Sequence, residues 1–311
     1  MSIDELIRDL RSDDEYGRSH AWDTVVKMLI GKGIITKDDV EDVKDAKGKF
    51  IELLSSDNVN IRSHAWDIVD TLIDTGIITK NDSTKFIELL SSDNENIRSH
   101  AWGTVDTLID KGIITKNDST KFIELLSSDN ENIRSRYAWD IVDTLIDTGI
   151  ITKEDVKDVK DKFIDLLSSD NVNIRSHAWD RVRTLINEGI ITEEDSTKFI
   201  ELLRSDNEII RRYAWDNVRK PIDKGIITKE NLKDLKDKFI ELLCSDYWAW
   251  DSVDTLIDKG IITKDDLIEL LSSDNDGIRS HAWNSVDKLI HEGIITKDDV
   301  KDIDTLHKAQ R

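Results

Sequence analysis

The stretch FIELLSSDNENIRSHAWGTVDTLIDKGIIT, residues 86–115, recurs with small changes along the whole chain. Its Ala-Trp pair occurs eight times and accounts for eight of the nine tryptophans. A Gly-Ile-Ile-Thr motif follows each of these tryptophans after ten or eleven residues. Self-similarity with this period is typical of stacked repeats and not of a single globule. We therefore expect one domain over residues 1–311, built from eight repeats.

The repeat boundaries follow from the glycine that ends each copy. The repeats span approximately residues 1–33, 34–76, 77–112, 113–149, 150–189, 190–225, 226–260 and 261–293, with a C-terminal capping helix in 294–311. We number them one to eight.

The first half of each repeat carries the pattern of a helix, which we call helix A. In repeat three, Thr79 and Asp82 have the spacing of a capping box, in which the threonine oxygen and the carboxylate each accept from a backbone amide. The apolar residues Phe86, Ile87 and Leu90 follow at helical spacing and predict a buried face.

The second half carries the pattern of another helix, which we call helix B. Asp93 is the expected N-cap, and Ile97, Ala101 and Val105 then fall on one side. Gly112 follows the last periodic residue, where a left-handed residue commonly ends a helix. No strand pattern occurs, so the sequence predicts an all-α protein.

The repeats differ in length by steps that a helix explains. From the glycine to the aligned Phe there are ten residues in the commonest repeats, and seven, fourteen or seventeen in others. These differences lie close to whole turns of about 3.6 residues, so they preserve the direction of the apolar face. We therefore expect helix A to lengthen or shorten at its start.

Helix B resembles a known family. The run Asp57-Asn-x-x-Ile61-Arg62-x-x-Ala65, continuing to Val69 and Leu72, is similar to the helix B signature of HEAT repeats. Asn58 stands where that family usually has proline. The resemblance implies an α-solenoid of eight helical hairpins in a right-handed superhelix. It also implies that the B helices line a concave, protein-binding face.

Composition limits the partners. The chain has 44 Lys and Arg against 65 Asp and Glu, a formal charge of −21, which repels nucleic acid. The N-terminus MSIDELIRDL lacks the features of an export signal, and no run approaches the roughly 18 apolar residues of a membrane helix. We expect a cytoplasmic protein that does not contact membranes. The single cysteine, Cys244, cannot form an internal disulfide.

Catalytic and metal chemistry find little support in the sequence. There is no glycine-rich phosphate loop and no nucleophile beside a base that the repeat does not explain. One histidine column precedes the Ala-Trp pairs, but neighbouring helices about 8–10 Å apart are too distant to share an ion. We therefore expect no cofactor and no catalytic residue. The alternative is a solenoid enzyme, or enzyme subunit, of the lyase type. The histidine column consists of His20, His64, His100, His177 and His281.

The repeated arginine after the first isoleucine of helix B, Arg62 in repeat two, is the expected partner of helix-capping aspartates. Pro221 stands inside helix B of repeat six, where proline removes a hydrogen bond and costs about 3 kcal/mol. Because repeat seven is also shortened, we expect a change in the superhelical path at the junction of these two repeats.

Function is expected on the polar side of helix B. Aspartates recur one, four and eight residues after the tryptophan, positions that share one helical face. They are interrupted by basic residues only in repeats five and six, at Arg181, Arg183, Arg219 and Lys220. We call the group in repeats two to four the acidic face. It comprises Asp67, Asp70, Asp74, Asp106, Asp110, Asp140, Asp143 and Asp147.

Two interpretations of the acidic face remain open. It is either a solvated surface copied by duplication, or a groove for a basic peptide or protein. In the second case Trp66, Trp102 and Trp139 border the groove and would offer cation–π contacts if their rings are exposed. The sequence thus favours a non-enzymatic scaffold that binds a Lys- or Arg-rich partner.

Overall fold

A computed structural model describes residues 3–31, 37–134, 136–233, 235–243, 253–291 and 293–301. Every regular element in these ranges is a helix, and none of the described residues forms a strand. Cys244 and the shortened segment of repeat seven lie outside the described residues. Of the expected C-terminal capping helix, residues 297–301 are described and helical. The chain divides into two compact units, Met1–Lys162 and Phe163–Arg311.

The N-terminal unit, Met1–Lys162, contains helix A and helix B of repeats one to four and most of helix A of repeat five. Repeats three and four begin with short 3₁₀ turns, Lys80–Asp82 and Lys116–Asp118. The helices are α1 (Ile3–Leu10), α2 (Glu15–Gly31), α3 (Lys37–Leu53), α4 (Val59–Asp74), α5 (Ser83–Leu90), α6 (Glu95–Asp110), α7 (Ser119–Leu126), α8 (Glu131–Arg134), α9 (Arg136–Asp140), α10 (Val142–Asp147) and α11 (Lys153–Leu166).

The C-terminal unit, Phe163–Arg311, contains the end of α11 and the remaining repeats. Repeat six begins with a 3₁₀ turn, Glu193–Asp195. The helices are α12 (Val172–Asn187), α13 (Ser196–Arg204), α14 (Glu208–Asp216), α15 (Arg219–Asp223), α16 (Lys229–Lys233), α17 (Lys236–Leu243), α18 (Val253–Asp258), α19 (Lys264–Leu271) and α20 (Asp276–His291).

The expected growth of helix A at its start is confirmed. In repeats two and five this helix has 17 and 14 residues, against 8 in repeats three and four. The aligned Phe keeps its buried position in both classes, as Phe50 and Phe86 show with exposures of 0% and 1%. Adding whole turns therefore lengthens the helix without rotating its apolar face.

The capping boxes are also confirmed. The backbone N–H of Thr79 donates to the Asp82 carboxylate at 2.8 Å, and this carboxylate also accepts from the Lys47 ammonium of the preceding repeat at 2.9 Å. The same arrangement recurs after the last repeat, at the start of the C-terminal capping segment, where Lys264 of repeat eight and then Thr296 donate to Asp299 and lower the pKa of its carboxyl to about 2. One carboxylate thus caps its own repeat and ties it to the previous one.

The N-cap of helix B differs from the expectation. The side chain of Asn94, and not that of Asp93, accepts the backbone N–H of Asn96 at 3.0 Å. Asn58 and Asn171 cap α4 and α12 in the same way. The helix begins one residue later than expected because the asparagine amide oxygen is the group that reaches the free N–H groups.

Two B helices are interrupted. In repeat four, ten residues separate Asp129 from Trp139 where most other repeats have nine, and helix B has a turn at Ile141, between α9 and α10. In repeat six the helix is broken at Asn217 and Val218, between α14 and α15, just before Pro221. The expected change in path beyond Pro221 involves residues 244–252, outside the described ranges, and stays a prediction.

The glycine that ends helix B has the expected left-handed backbone. Gly112 has φ +69°, and the next residue, Ile113, donates its N–H to the carbonyl of Leu108 at 2.9 Å. The six other described glycines of this motif have φ between 64° and 75°. These bonds satisfy the last carbonyls of the helix.

Gly112→Ala is expected to lower the free energy of unfolding by about 1–2 kcal/mol, because an L-residue is strained at this φ. No other atom lies within 4 Å of the added Cβ, so the loss reports backbone conformation alone. Gly103→Ala is the matched control: Gly103 lies inside α6, also with open space around it, and alanine should stabilise the helix by about 0.5–1 kcal/mol. Urea denaturation measures both, and equal effects would contradict the argument.

Candidate functional site: the acidic face

The acidic face lies on the B helices of repeats two to four. Asp67, Asp70 and Asp74 are on α4, and Asp106 and Asp110 are on α6. All five are exposed, whereas the apolar side of the same helices is buried. Repeat four continues the acidic face with the exposed Asp140 and Asp147 and the partly buried Asp143.

A lysine links the acidic residues of neighbouring repeats. Lys111 directly follows α6, yet its ammonium lies 2.8 Å from the Asp74 carboxylate and 3.6 Å from that of Asp70, both on α4. The hydrogen bond from Lys111 to Asp74 is the main cause that raises the lysine pKa. Lys111, at the end of α6, is therefore close enough to interact with the acidic residues at the end of α4.

Lys111 is a residue that the helical-face argument missed. Lys111 lies nine residues after Trp102, whereas the aspartates lie one, four and eight residues after the tryptophan. The positions along a single helix therefore do not group it with the aspartates. It neutralises part of the charge of Asp70 and Asp74. Four exposed aspartates have no ion pair within the described ranges, so their negative charge is not compensated. They are Asp67, Asp106, Asp110 and Asp147.

The tryptophans do not border this face as accessible rings. Trp66, Trp102 and Trp139 have exposures of 8%, 5% and 1%. The indole N–H of Trp102 donates to the carbonyl of Leu90 in its own repeat at 3.1 Å, and the ring meets Phe122 of the next repeat at 6.4 Å between centroids. Cation–π binding needs an open ring face, so the expected contacts with a partner are corrected to core packing between repeats.

Trp66 is held in the same way. Its N–H donates to the carbonyl of Leu54 at 3.1 Å, and its ring lies edge-on to Phe86 with centroids 6.0 Å apart. In the C-terminal unit, the N–H of Trp179 donates to the carbonyl of Leu167, and its ring contacts that of Phe199. The Ala-Trp motif is thus a structural element of the repeat, placed between two A helices.

The arginine column also has a structural role, with a different acceptor from the one expected. The Arg62 guanidinium donates to the backbone carbonyl of Ser56 at 2.5 Å, in the loop that joins helix A to helix B. Arg98 and Arg211 make the equivalent bond to Ser92 and Ser205 at 2.5 and 2.6 Å. In these three repeats the arginine therefore closes its own loop, and in repeat eight the corresponding Arg279 also pairs with Asp276 in the first turn of its own helix.

The histidine column joins neighbouring B helices. The His64 ring nitrogen lies 3.4 Å from the carboxylate of Asp23, and the His100 ring lies 3.4 Å from the hydroxyl of Ser63. A hydrogen bond from Lys27 is the largest cause that lowers the pKa of Asp23, ahead of the charge of His64. Among the described residues, no group of three or more His, Cys, Asp or Glu is arranged to hold a metal ion.

No family model matches this chain, and a comparison with curated proteins finds no significant match. Within the described ranges, no helix combines the length and apolar character needed to cross a membrane.

Proposed function

We propose that the protein is a non-enzymatic scaffold whose acidic face binds a Lys- or Arg-rich peptide or protein segment. We further propose that the eight repeats form one α-solenoid of HEAT-like hairpins, with the acidic face on its concave side. The observation that carries the first proposal is the row of exposed aspartates on three successive B helices, of which Lys111 compensates only Asp70 and Asp74.

The energetics favour an extended partner with several charges. A single exposed ion pair contributes only about 0.2–1 kcal/mol, so one lysine would bind too weakly to matter. The contact of Lys111 with α4 supports a spacing between repeats at which the fields of neighbouring carboxylates overlap, since the Debye length is about 10 Å at 0.1 M salt. Such binding forms quickly and weakens steeply with salt.

Neutralising four unpaired aspartates of the acidic face is expected to lower the affinity for a Lys-rich peptide about tenfold or more. This estimate assumes that four exposed ion pairs with the peptide are lost, each of the usual strength. The variant combines Asp67→Asn, Asp106→Asn, Asp110→Asn and Asp147→Asn. These side chains are exposed and form no ion pair with any described residue, so the fold should be unaffected. Fluorescence anisotropy of a labelled peptide at about 50 and 300 mM salt measures the effect.

A matched control removes four charges elsewhere in the N-terminal unit. It combines Asp45→Asn, Asp57→Asn, Asp93→Asn and Glu124→Gln, all at exposed positions. The affinity of this control for the peptide should be within about twofold of that of the unchanged protein, because salt screens charges that lie far from the bound peptide. If both variants lose affinity equally, or neither does, the acidic face is a solvated surface and not a binding site.

A further inference from the structure

The C-terminal unit contains an open cleft of about 440 Å³ between the B helices of repeats five and six. The buried side chains of Trp179 and Val182 form its apolar part, and five polar or charged residues of repeat six surround it. Its volume lies within the roughly 300–1,000 Å³ of small-molecule sites. The lining residues are Trp179, Val182, Arg183, Asp216, Asn217, Arg219, Lys220 and Asp223.

The cleft coincides with the break in helix B of repeat six. Helix α14 ends at Asp216, and α15 starts at Arg219, so the two residues between them depart from the helix. Pro221 has no N–H to donate to the carbonyl of Asn217, four residues earlier. The equivalent position in most other repeats carries leucine, as at Leu108. The cleft thus lies where helix B of repeat six is interrupted: Asn217 is in the break, and Asp216 and Arg219 flank it.

The lining of the cleft carries a small positive charge, with three cations, Arg183, Arg219 and Lys220, against two carboxylates, Asp216 and Asp223. Arg183 and Lys220 form no ion pair with any described residue, although the whole chain has a formal charge of −21. Arg219 lies 3.8 Å from Asp223, and the same carboxylate lies 3.2 Å from Lys259. Asp223 is therefore shared by two cations. Positive groups placed together without enough counter-charge repel each other, and a bound anion relieves that repulsion.

We propose that this cleft binds a small organic dianion, either a dicarboxylate or a phosphate monoester. The guanidinium groups of Arg183 and Arg219 and the ammonium of Lys220 bind the oxygens, since a guanidinium fork matches both carboxylate and phosphate. The apolar part of the ligand packs beside Trp179 and Val182. This site is separate from the acidic face and does not depend on the function proposed for it.

The test titrates the full chain with phthalate and with phenyl phosphate, in separate calorimetric experiments at low salt. The binding variant combines Arg183→Gln with Lys220→Gln, and the matched control combines Arg204→Gln with Lys224→Gln. Each removes one arginine and one lysine charge from the C-terminal unit, and the control residues lie outside the cleft. We expect saturable binding that falls at least tenfold in the first variant and less than twofold in the control.

The two ligands distinguish the sources of the dianion. Saturation by phthalate alone assigns the cleft to dicarboxylates, and saturation by phenyl phosphate alone assigns it to phosphate monoesters. Absence of saturable binding by both would overturn the proposal. An equal loss in the two variants would overturn it as well, because binding would then report net charge and not the cleft.

Discussion

Trp102→Ala is expected to lower the free energy of unfolding by about 3–5 kcal/mol, among the largest effects of any single substitution in this chain. The indole is 5% exposed and donates its N–H to the Leu90 carbonyl at 3.1 Å. The substitution removes a large buried ring, leaves a cavity between two repeats, and leaves that carbonyl without its donor. Trp102→Phe keeps most of the ring and should cost about half as much.

Denaturation followed by circular dichroism measures these losses, with Tyr16→Ala as the control. Tyr16 is 70% exposed, so deleting its ring should change stability by less than about 0.5 kcal/mol. A cycle that combines Trp102→Ala with Phe122→Leu should show a coupling of about 0.5–1.5 kcal/mol between the two rings. A loss below about 1 kcal/mol for Trp102→Ala would show that the ring does not hold the repeats together.

Features that depend on one stretch of chain could be predicted from the sequence. The capping carboxylate of Asp82 lies three residues from its threonine, and the left-handed Gly112 directly follows the periodic part of helix B. Both arise from local backbone chemistry, so a short window contains all the information they need. The all-helical fold follows from the same periodicity.

Features that depend on a neighbouring repeat could not be predicted in the same way. The sequence pattern places Trp66 at the border of the acidic face, but Phe86 of the next repeat covers its ring. The pattern also omits Lys111, which reaches across to Asp74 on the preceding B helix. The depth of a side chain and its partners depend on the packing of one repeat on the next, and the period alone does not specify that packing.

The sequence contains an indication of the cleft, but only the structure shows what that indication means. Pro221 and the basic residues of repeats five and six both depart from the repeat pattern, but the pattern does not say that they meet. The structure places Arg183 on α12 beside Lys220 on α15. In repeats five and six, the residues that depart from the repeat pattern therefore lie at one cleft.

Arg211→Met is expected to lower the free energy of unfolding by about 2–4 kcal/mol. The guanidinium is nearly buried, with 9% exposure, and donates to the carbonyl of Ser205 at 2.6 Å. A hydrogen bond from a charged donor contributes about 1.5–3 kcal/mol, and an unpaired buried carbonyl costs a similar amount. Methionine keeps much of the apolar stem, so the loss reports the hydrogen bond that closes the loop.

Arg204→Met is the matched control, since Arg204 is an exposed arginine at the end of α13 in the same repeat. It should cost less than about 1 kcal/mol, the usual contribution of a cation at a helix C-terminus. Limited proteolysis provides a second measurement: Arg211→Met should open the loop at residues 205–207 to cleavage, and Arg204→Met should leave it protected. If the two variants had equal stability and equal resistance to protease, the buried arginine column would have no role in holding helix A to helix B.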